Sequence, residues 1–196
     1  MFTFDPTKAE WKNPPEESVV TPDKVVITTQ PVTDLWQRSY YGFQHDNGTM
    51  LLLPTTEQYF SFTVRTDFDS TARFDQCGVV IYQDSDNWFK ASIERENSEI
   101  QRLGSVVTNH GYSDWATADI PAEINTMYYR LSRREDDYCI EQSVDGKHFQ
   151  QMRIFHLFEG KGEIYFGLYA CSPTEASFHA TFTEMSVTEC VWEIDV

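Results

Sequence analysis

The feature that most constrains this chain is its rhythm. Short runs of β-branched and aromatic residues alternate with polar turns, and no window of a dozen residues carries a helical apolar stripe. The runs predict strands over Lys24 to Thr29, Thr49 to Leu53, Tyr59 to Phe68, Cys77 to Tyr82, Asn87 to Glu94 and Glu99 to Thr108. Five more follow at Met127 to Arg134, Tyr138 to Ser143, Phe149 to Phe155, Ile164 to Tyr169 and His179 to Val191. Eleven strands in one domain require two packed sheets, so the expected fold is all-β. Asp145-Gly146 supplies a tight hairpin turn, while Arg95 to Ser98 and Glu135 to Asp137 are polar breaks of hairpin length. Residues 1–23, with Pro14-Pro15, are expected to run extended around the sandwich formed by residues 24–196.

The 196 residues suit a single domain, and 40% apolar content with 15% aromatics fills a sizeable core. A formal charge of −16 repels nucleic acid and anionic membranes, so neither is an expected partner. The longest apolar runs, Cys77 to Tyr82 and Ile164 to Ala170, fall far short of a spanning helix, and Met1 to Lys8 lacks the pattern of a secretory signal. A cytoplasmic location is therefore expected. Cys77, Cys139, Cys171 and Cys190 form no Cys-x-x-Cys pair and are expected to be reduced thiols filling small apolar sites. Phosphate-cradling glycine loops and His-Glu-x-x-His are absent, so no cofactor or metal is expected. Asp84-Ser-Asp-Asn87 begins like a calcium loop but has Phe89 and Arg95 where glycine and a bidentate acid belong; a looser loop calcium stays open.

Alternation assigns the sheet faces. Phe89, Ala91 and Ile93 fall on one side of their strand, with Trp88, Lys90, Ser92 and Glu94 on the other. Tyr129 and Leu131 likewise oppose Tyr128, Arg130 and Ser132, and Tyr138, Ile140 and Gln142 oppose Cys139, Glu141 and Ser143. The polar faces mix charge, hydroxyls and rings. That composition suits a groove in which rings stack on sugars and charged or amide groups take hydroxyl hydrogen bonds, and equally a solvated face of cross-strand ion pairs.

From Phe74-Asp-Gln-Cys-Gly-Val79 onward, through Trp88-Phe-Lys90, Ile93-Glu94, Ser105 to Thr108 and Ser113-Asp-Trp115, the sequence resembles a concanavalin A-like family of undefined function. That family is grouped with the yeast "regulation of enolase" protein and is also similar to the C-terminal β-sandwich of β-xylosidases. The likeness extends from Trp11 and Asp34-Leu-Trp36 to Arg130, Ser143 to Gly146 and Tyr169 to Pro173. It implies a jelly-roll sandwich of two curved antiparallel sheets whose concave face is where related lectins and glucanases hold saccharide. It also carries over Asp75, Gln76, Lys90, Glu94, Ser113, Asp114, Trp115 and Arg130 as site candidates; loop bonds to backbone are the competing reading for Asp75, Gln76 and Asp114.

The expected groove comprises Gln76, Tyr82, Trp88, Lys90, Glu94, Asn109, Tyr112, Asp114, Trp115 and Arg130, binding an oligosaccharide or a small sugar without catalysis. A glycoside hydrolase using Glu94 is the alternative. It requires two carboxyl groups about 5 to 5.5 Å apart for retention or about 6.5 to 9.5 Å for inversion. The acid-x-acid pairs Glu94/Glu96, Asp67/Asp69 and Asp84/Asp86 have suitable spacing but sit at turns or strand ends. Arg130 is expected to pair with Glu94 and keep it ionised, unsuited to general-acid work. A third reading is a protein-interaction module that uses Trp36, Tyr40, Tyr41 and Phe43, near His45, as a contact patch.

Overall fold

The computed structural model describes residues 2–193. Sixteen strands follow one short 3-10 turn at Pro6–Lys8: β1 (Glu10–Lys12), β2 (Ser18–Thr21), β3 (Lys24–Thr28), β4 (Leu35–Gln37), β5 (Gln44–Asp46), β6 (Thr49–Thr55), β7 (Tyr59–Phe68) and β8 (Gln76–Asp84). Then come β9 (Asn87–Arg95), β10 (Ile100–Asn109), β11 (Tyr112–Pro121), β12 (Thr126–Arg134), β13 (Asp137–Ser143), β14 (Gln150–His156), β15 (Ile164–Cys171) and β16 (His179–Glu189). Among the described residues there is no α-helix, and none long and apolar enough to cross a membrane.

Two seven-stranded sheets form a jelly-roll sandwich. The first has the order β1-β6-β15-β8-β9-β10-β11, the second β14-β13-β12-β7-β16-β3-β2, and every strand pair is antiparallel. The N-terminal segment supplies an edge strand to each sheet, β1 against β6 and β2 against β3. Each predicted strand is present within a few residues. One long strand was not foreseen: β11, expected as loop, pairs with β10 over ten residues without a bulge. It is the first sheet's edge and exposes most of its side chains, so it lacks the buried alternation that marks a strand in sequence.

The alternation assigned to β9, β12 and β13 places Phe89, Ala91, Ile93, Tyr129, Leu131, Tyr138 and Ile140 in the main core between the sheets. Rings dominate that core. Phe89 stacks on Phe155 at 4.0 Å across the sandwich, and Phe166 gathers Phe4, Phe60 and Phe62 around it. Each such ring contributes about 1.5–3 kcal/mol by leaving water.

A second, smaller core lies on the outer face of the first sheet. Leu35, Trp36, Met50, Leu52, Val80, Tyr82, Trp88, Val106, Tyr169 and Cys171 pack there beneath the two-stranded sheet β4–β5. This hairpin is hooked down by Arg38, whose Nη1 donates to Asp86 Oδ1 and to the Gly111 carbonyl, both at 2.8 Å. Gly111 is required here: its φ is +77°, and a Cβ would meet Arg38 Nη1 at 2.0 Å. Gln37 N–H donates to Ser113 Oγ, and Ser113 also bonds Thr108.

Candidate functional site

Register lays out the outer face of the first sheet in rows. One row runs Cys171, Gln76, Glu94, Arg102; the next Tyr169, Gly78, Ser92, Gly104; the next Gly167, Val80, Lys90, Val106, Trp115. The middle row has no large side chain on three adjacent strands, so a depression forms between the row of Gln76, Glu94 and Arg102 and the row of Val80, Lys90, Val106 and Trp115. Loops wall it. Trp36, Tyr41, Phe43 and His45 come from the β4–β5 hairpin, Arg73 and Phe74 from the approach to β8, and Trp115 from β11, enclosing a cavity of about 530 Å³. Trp115 leans over Gly104, where a Cβ would meet its Nε1 at 2.9 Å. Tyr41 stacks on Phe43 at 5.3 Å with 17° between planes. Phe74 adopts φ +72°, rare for an aromatic residue, and is fixed by its N–H to the Arg95 carbonyl at 2.7 Å.

The floor is a polar network. Lys90, only 4% exposed, donates to the Leu35 carbonyl at 2.9 Å, Gln76 Oε1 at 2.8 Å and Tyr169 OH at 3.1 Å, with Asp34 Oδ1 3.7 Å away. Tyr169 OH also donates to Gln76 Oε1. With its oxygen so engaged, the Gln76 amide turns Nε2 toward the Phe74 carbonyl and Glu94 Oε2, at 3.2 and 3.3 Å. Burial pushes the Glu94 carboxyl up to about 7; Lys90 and Arg102 oppose the shift, and Asp34 and Glu96 add to it. Asp34 is held from the hairpin side, its carboxylate accepting Leu35 N–H at 2.7 Å and its carbonyl accepting the amides of Asn47 and Gly48.

Of the residues expected in the groove, Gln76, Lys90, Glu94 and Trp115 line this cavity. The others lie elsewhere. Trp88 and Tyr82 are on the expected face but are buried under the hairpin, Trp88 donating to the Ser85 carbonyl and Tyr82 to Asp46. Asn109, Tyr112 and Asp114 line a separate cleft between β11 and β14, where Asp114 pairs with Arg153. Arg130 is on the other sheet, in a two-pronged pair with Glu141 at 2.6 and 2.7 Å, so it neither meets Glu94 nor holds it ionised. Alternation identifies a face; it does not say which sheet owns the strand. Asp75 clamps the loop before β8 through the Thr71 and Ala72 amides and Ser172.

Asp34 and Arg102 were missed as site residues. No strand spacing brings residue 34 beside residue 94; only the folded hairpin does. The acid-x-acid pairs weighed from sequence are engaged otherwise: Glu96 with Arg73 and Arg102, Asp67 with Arg65, Asp69 with His179, and Asp86 with Arg38.

The chain is 30% identical to Regulation of enolase protein 1 of Saccharomyces cerevisiae over 182 residues, which is 93% of this chain and 90% of that protein. It superposes with a TM-score of 0.88 on the crystal structure of a functionally unknown protein from Saccharomyces cerevisiae, at 29% identity, covering 96% of this chain and 100% of that one. The fold is also shared with part of the GH43 BlXynB protein from Bacillus licheniformis, at a TM-score of 0.66 and 16% identity, over 86% of this chain and 33% of that one. Residues 11–190 match one family throughout, and the chain belongs to it: the family described as "Protein of unknown function (DUF1349)".

Proposed function

We propose that the cavity on the first sheet binds a saccharide, an oligosaccharide end or a small sugar, and that the protein serves carbohydrate metabolism in the cytoplasm, where its four unpaired thiols stay reduced. The observation that carries this reading is that aromatic rings, Tyr41 and Phe43 from the hairpin and Trp115 from β11, line one cavity together with the polar side chains of Lys90, Glu94, Gln76 and Ser92. Flat rings present apolar faces to pyranose C–H groups, and the floor offers donors and acceptors in the pairs that vicinal hydroxyls need. Shared architecture with a GH43 protein supports the ligand class.

Titration with xylo-, gluco- and galacto-oligosaccharides, followed by tryptophan fluorescence, tests it. Trp36 and Trp115 line the cavity while Trp88 is buried, so a saturable shift is expected in the parent and is lost in Trp115→Ala. An unchanged spectrum with every sugar at millimolar concentration refutes the reading.

A second reading, docking of a protein partner, is favoured by Tyr40, which is 97% exposed at the hairpin tip beside Tyr41. It predicts a stable complex that Tyr40→Ala dissolves and that no sugar displaces.

A further inference from the structure

The charge of this cavity runs against the charge of the chain. Acids outnumber Lys and Arg by 31 to 15 in the whole sequence, yet Arg73, Lys90 and Arg102 line the cavity against Asp34 and Glu94. The pairings leave an excess of cations. Lys90 stands 3.7 Å from Asp34, while Arg73 and Arg102 both turn to Glu96, their Nη2 atoms 2.8 Å from its Oε1 and 3.5 Å from its Oε2. Two guanidiniums thus share one carboxylate. Glu94, directly across from Arg102 on the neighbouring strand, is pushed up to about 7 by burial and offsets only part of that excess near neutral pH. In a chain of formal charge −16, a cationic excess bordering a cavity draws anions to that point rather than to the surface at large.

The two guanidiniums are also largely uncommitted and held in place. Arg73 gives one hydrogen bond, to Glu96, and Arg102 gives none among the described residues. Each lies over a ring, Arg73 over Phe74 at 4.5 Å and Arg102 over Trp115 at 5.5 Å. The backbone around Arg73 is fixed from both sides: the Thr71 and Ala72 N–H groups donate to Asp75, and Phe74, at its positive φ, donates to the Arg95 carbonyl. Backbone held in a sparsely populated conformation beside a cavity points to ligand binding there. The Arg73 and Arg102 side chains are 57% and 30% exposed, so their remaining N–H donors are within reach of a ligand.

Resting on the saccharide reading above, we propose that the ligand is an acidic sugar, one that carries a carboxylate or a phosphate, and that Arg73 and Arg102 bind its anionic group. The aromatic residues of the cavity still hold the sugar ring. A neutral hydroxyl accepts a hydrogen bond from a guanidinium, but only an oxyanion takes two parallel N–H bonds from the fork and cancels its charge as well. The carboxylate and the phosphate share that chemistry. Glu96 already shows it, holding both guanidiniums through its two oxygens.

The test is calorimetric titration of the full chain with matched ligands: glucose against glucuronic acid and a glucose phosphate, and galacto-oligosaccharides against oligogalacturonides. Acetate and inorganic phosphate serve as anions without a sugar. At least one acidic member should bind at least about 10-fold tighter than its neutral partner, the gain of one charge-assisted pair, and the member that gains identifies the anionic group. That ratio should shrink as sodium chloride is raised to about 1 M. It should fall at least about threefold in Arg102→Met and in Arg73→Met, approach unity in the double variant, and persist in part in Arg102→Lys, which keeps the charge but not the fork. Arg73 is the more exposed of the two, so Arg73→Met decides the matter if Arg102→Met does not fold. Neutral sugars bound as tightly as their acidic partners overturn the proposal and leave the saccharide reading intact, as does a preference for acidic sugars that survives both substitutions. Acetate or phosphate bound as tightly as the acidic sugars, or no binding by any of these ligands, overturns both.

Discussion

β9 and β12 each turn a basic residue outward, Lys90 on the first sheet and Arg130 on the second, and the two meet different surroundings. Arg130 lies on an open face, grips Glu141 with both prongs and covers Phe149 at 4.1 Å. Its neighbours are similarly matched, Arg65 reaching Asp67 and Glu184. Lys90 lies under the β4–β5 hairpin, and its bonds go to a backbone carbonyl, an amide and a phenol while the nearby Glu94 is left without a cation. The difference comes from the roof. On an open face water screens each charge and ion pairs form where geometry permits. Under the hairpin, burial penalises every charge, and the network is arranged around one ammonium with an acid held close to neutrality.

The sharpest way to break this contrast is to remove both cations in turn. Lys90→Met should cost about 3 kcal/mol in urea denaturation, because the Leu35 carbonyl, Gln76 and Tyr169 lose their shared donor inside a covered site. A loss as small as that of the half-buried Arg130–Glu141 pair would mean that water enters beneath the hairpin.

Acidity separates the faces next. Glu94 has a folded pKa near 7 against an ordinary 4.5, so its contribution to stability is fully present below about pH 4.5 and is lost as pH rises through 7. The penalty above pH 7 is on the order of 3 kcal/mol. Glu94→Gln should therefore be more stable than the parent at pH 8 and indistinguishable from it at pH 4; equal stabilities at both would show that Glu94 is ionised in the fold.

Arg130→Met, by comparison, should lower stability by only about 1 kcal/mol and leave sugar titrations unchanged. The smallest effects belong to the cleft between β11 and β14. Tyr112, which is 65% exposed, and Asp114 lie outside the cavity, so Tyr112→Ala and Asp114→Ala should bind sugars as the parent does. A loss of binding in either variant would move the site to that edge.

Much of this was legible in advance because sheet geometry is local. A period of two sets Phe89, Ala91 and Ile93 against Trp88, Lys90, Ser92 and Glu94 whatever the rest of the chain does. What alternation could not convey was cover. Trp88 reads as a stacking platform until the hairpin closes over it, and Asp34 has no visible tie to the sheet until the hairpin brings it to Lys90. The Arg130–Glu94 pairing failed for a related reason, since both side chains point outward but from opposite sides of the sandwich. The small row of Gly78, Ser92 and Gly104 did leave a trace in the sequence, yet it acquires meaning only once β8, β9 and β10 are placed side by side.

The hairpin that roofs the cavity is a separate two-stranded sheet, spliced between β3 and β6 and fastened by Leu35 and Trp36 in the smaller core and by bonds at Leu35, Gln37, Arg38 and Asp46. Neither seven-stranded sheet uses its backbone for strand pairing. Residues 39 to 43, beyond the Arg38 anchor, can therefore be lengthened, shortened or rewritten while the sandwich beneath keeps its register. A lineage carrying this fold can exchange one wall of the cavity, and with it the choice of ligand, through changes in a five-residue stretch that strand pairing in the sandwich does not constrain.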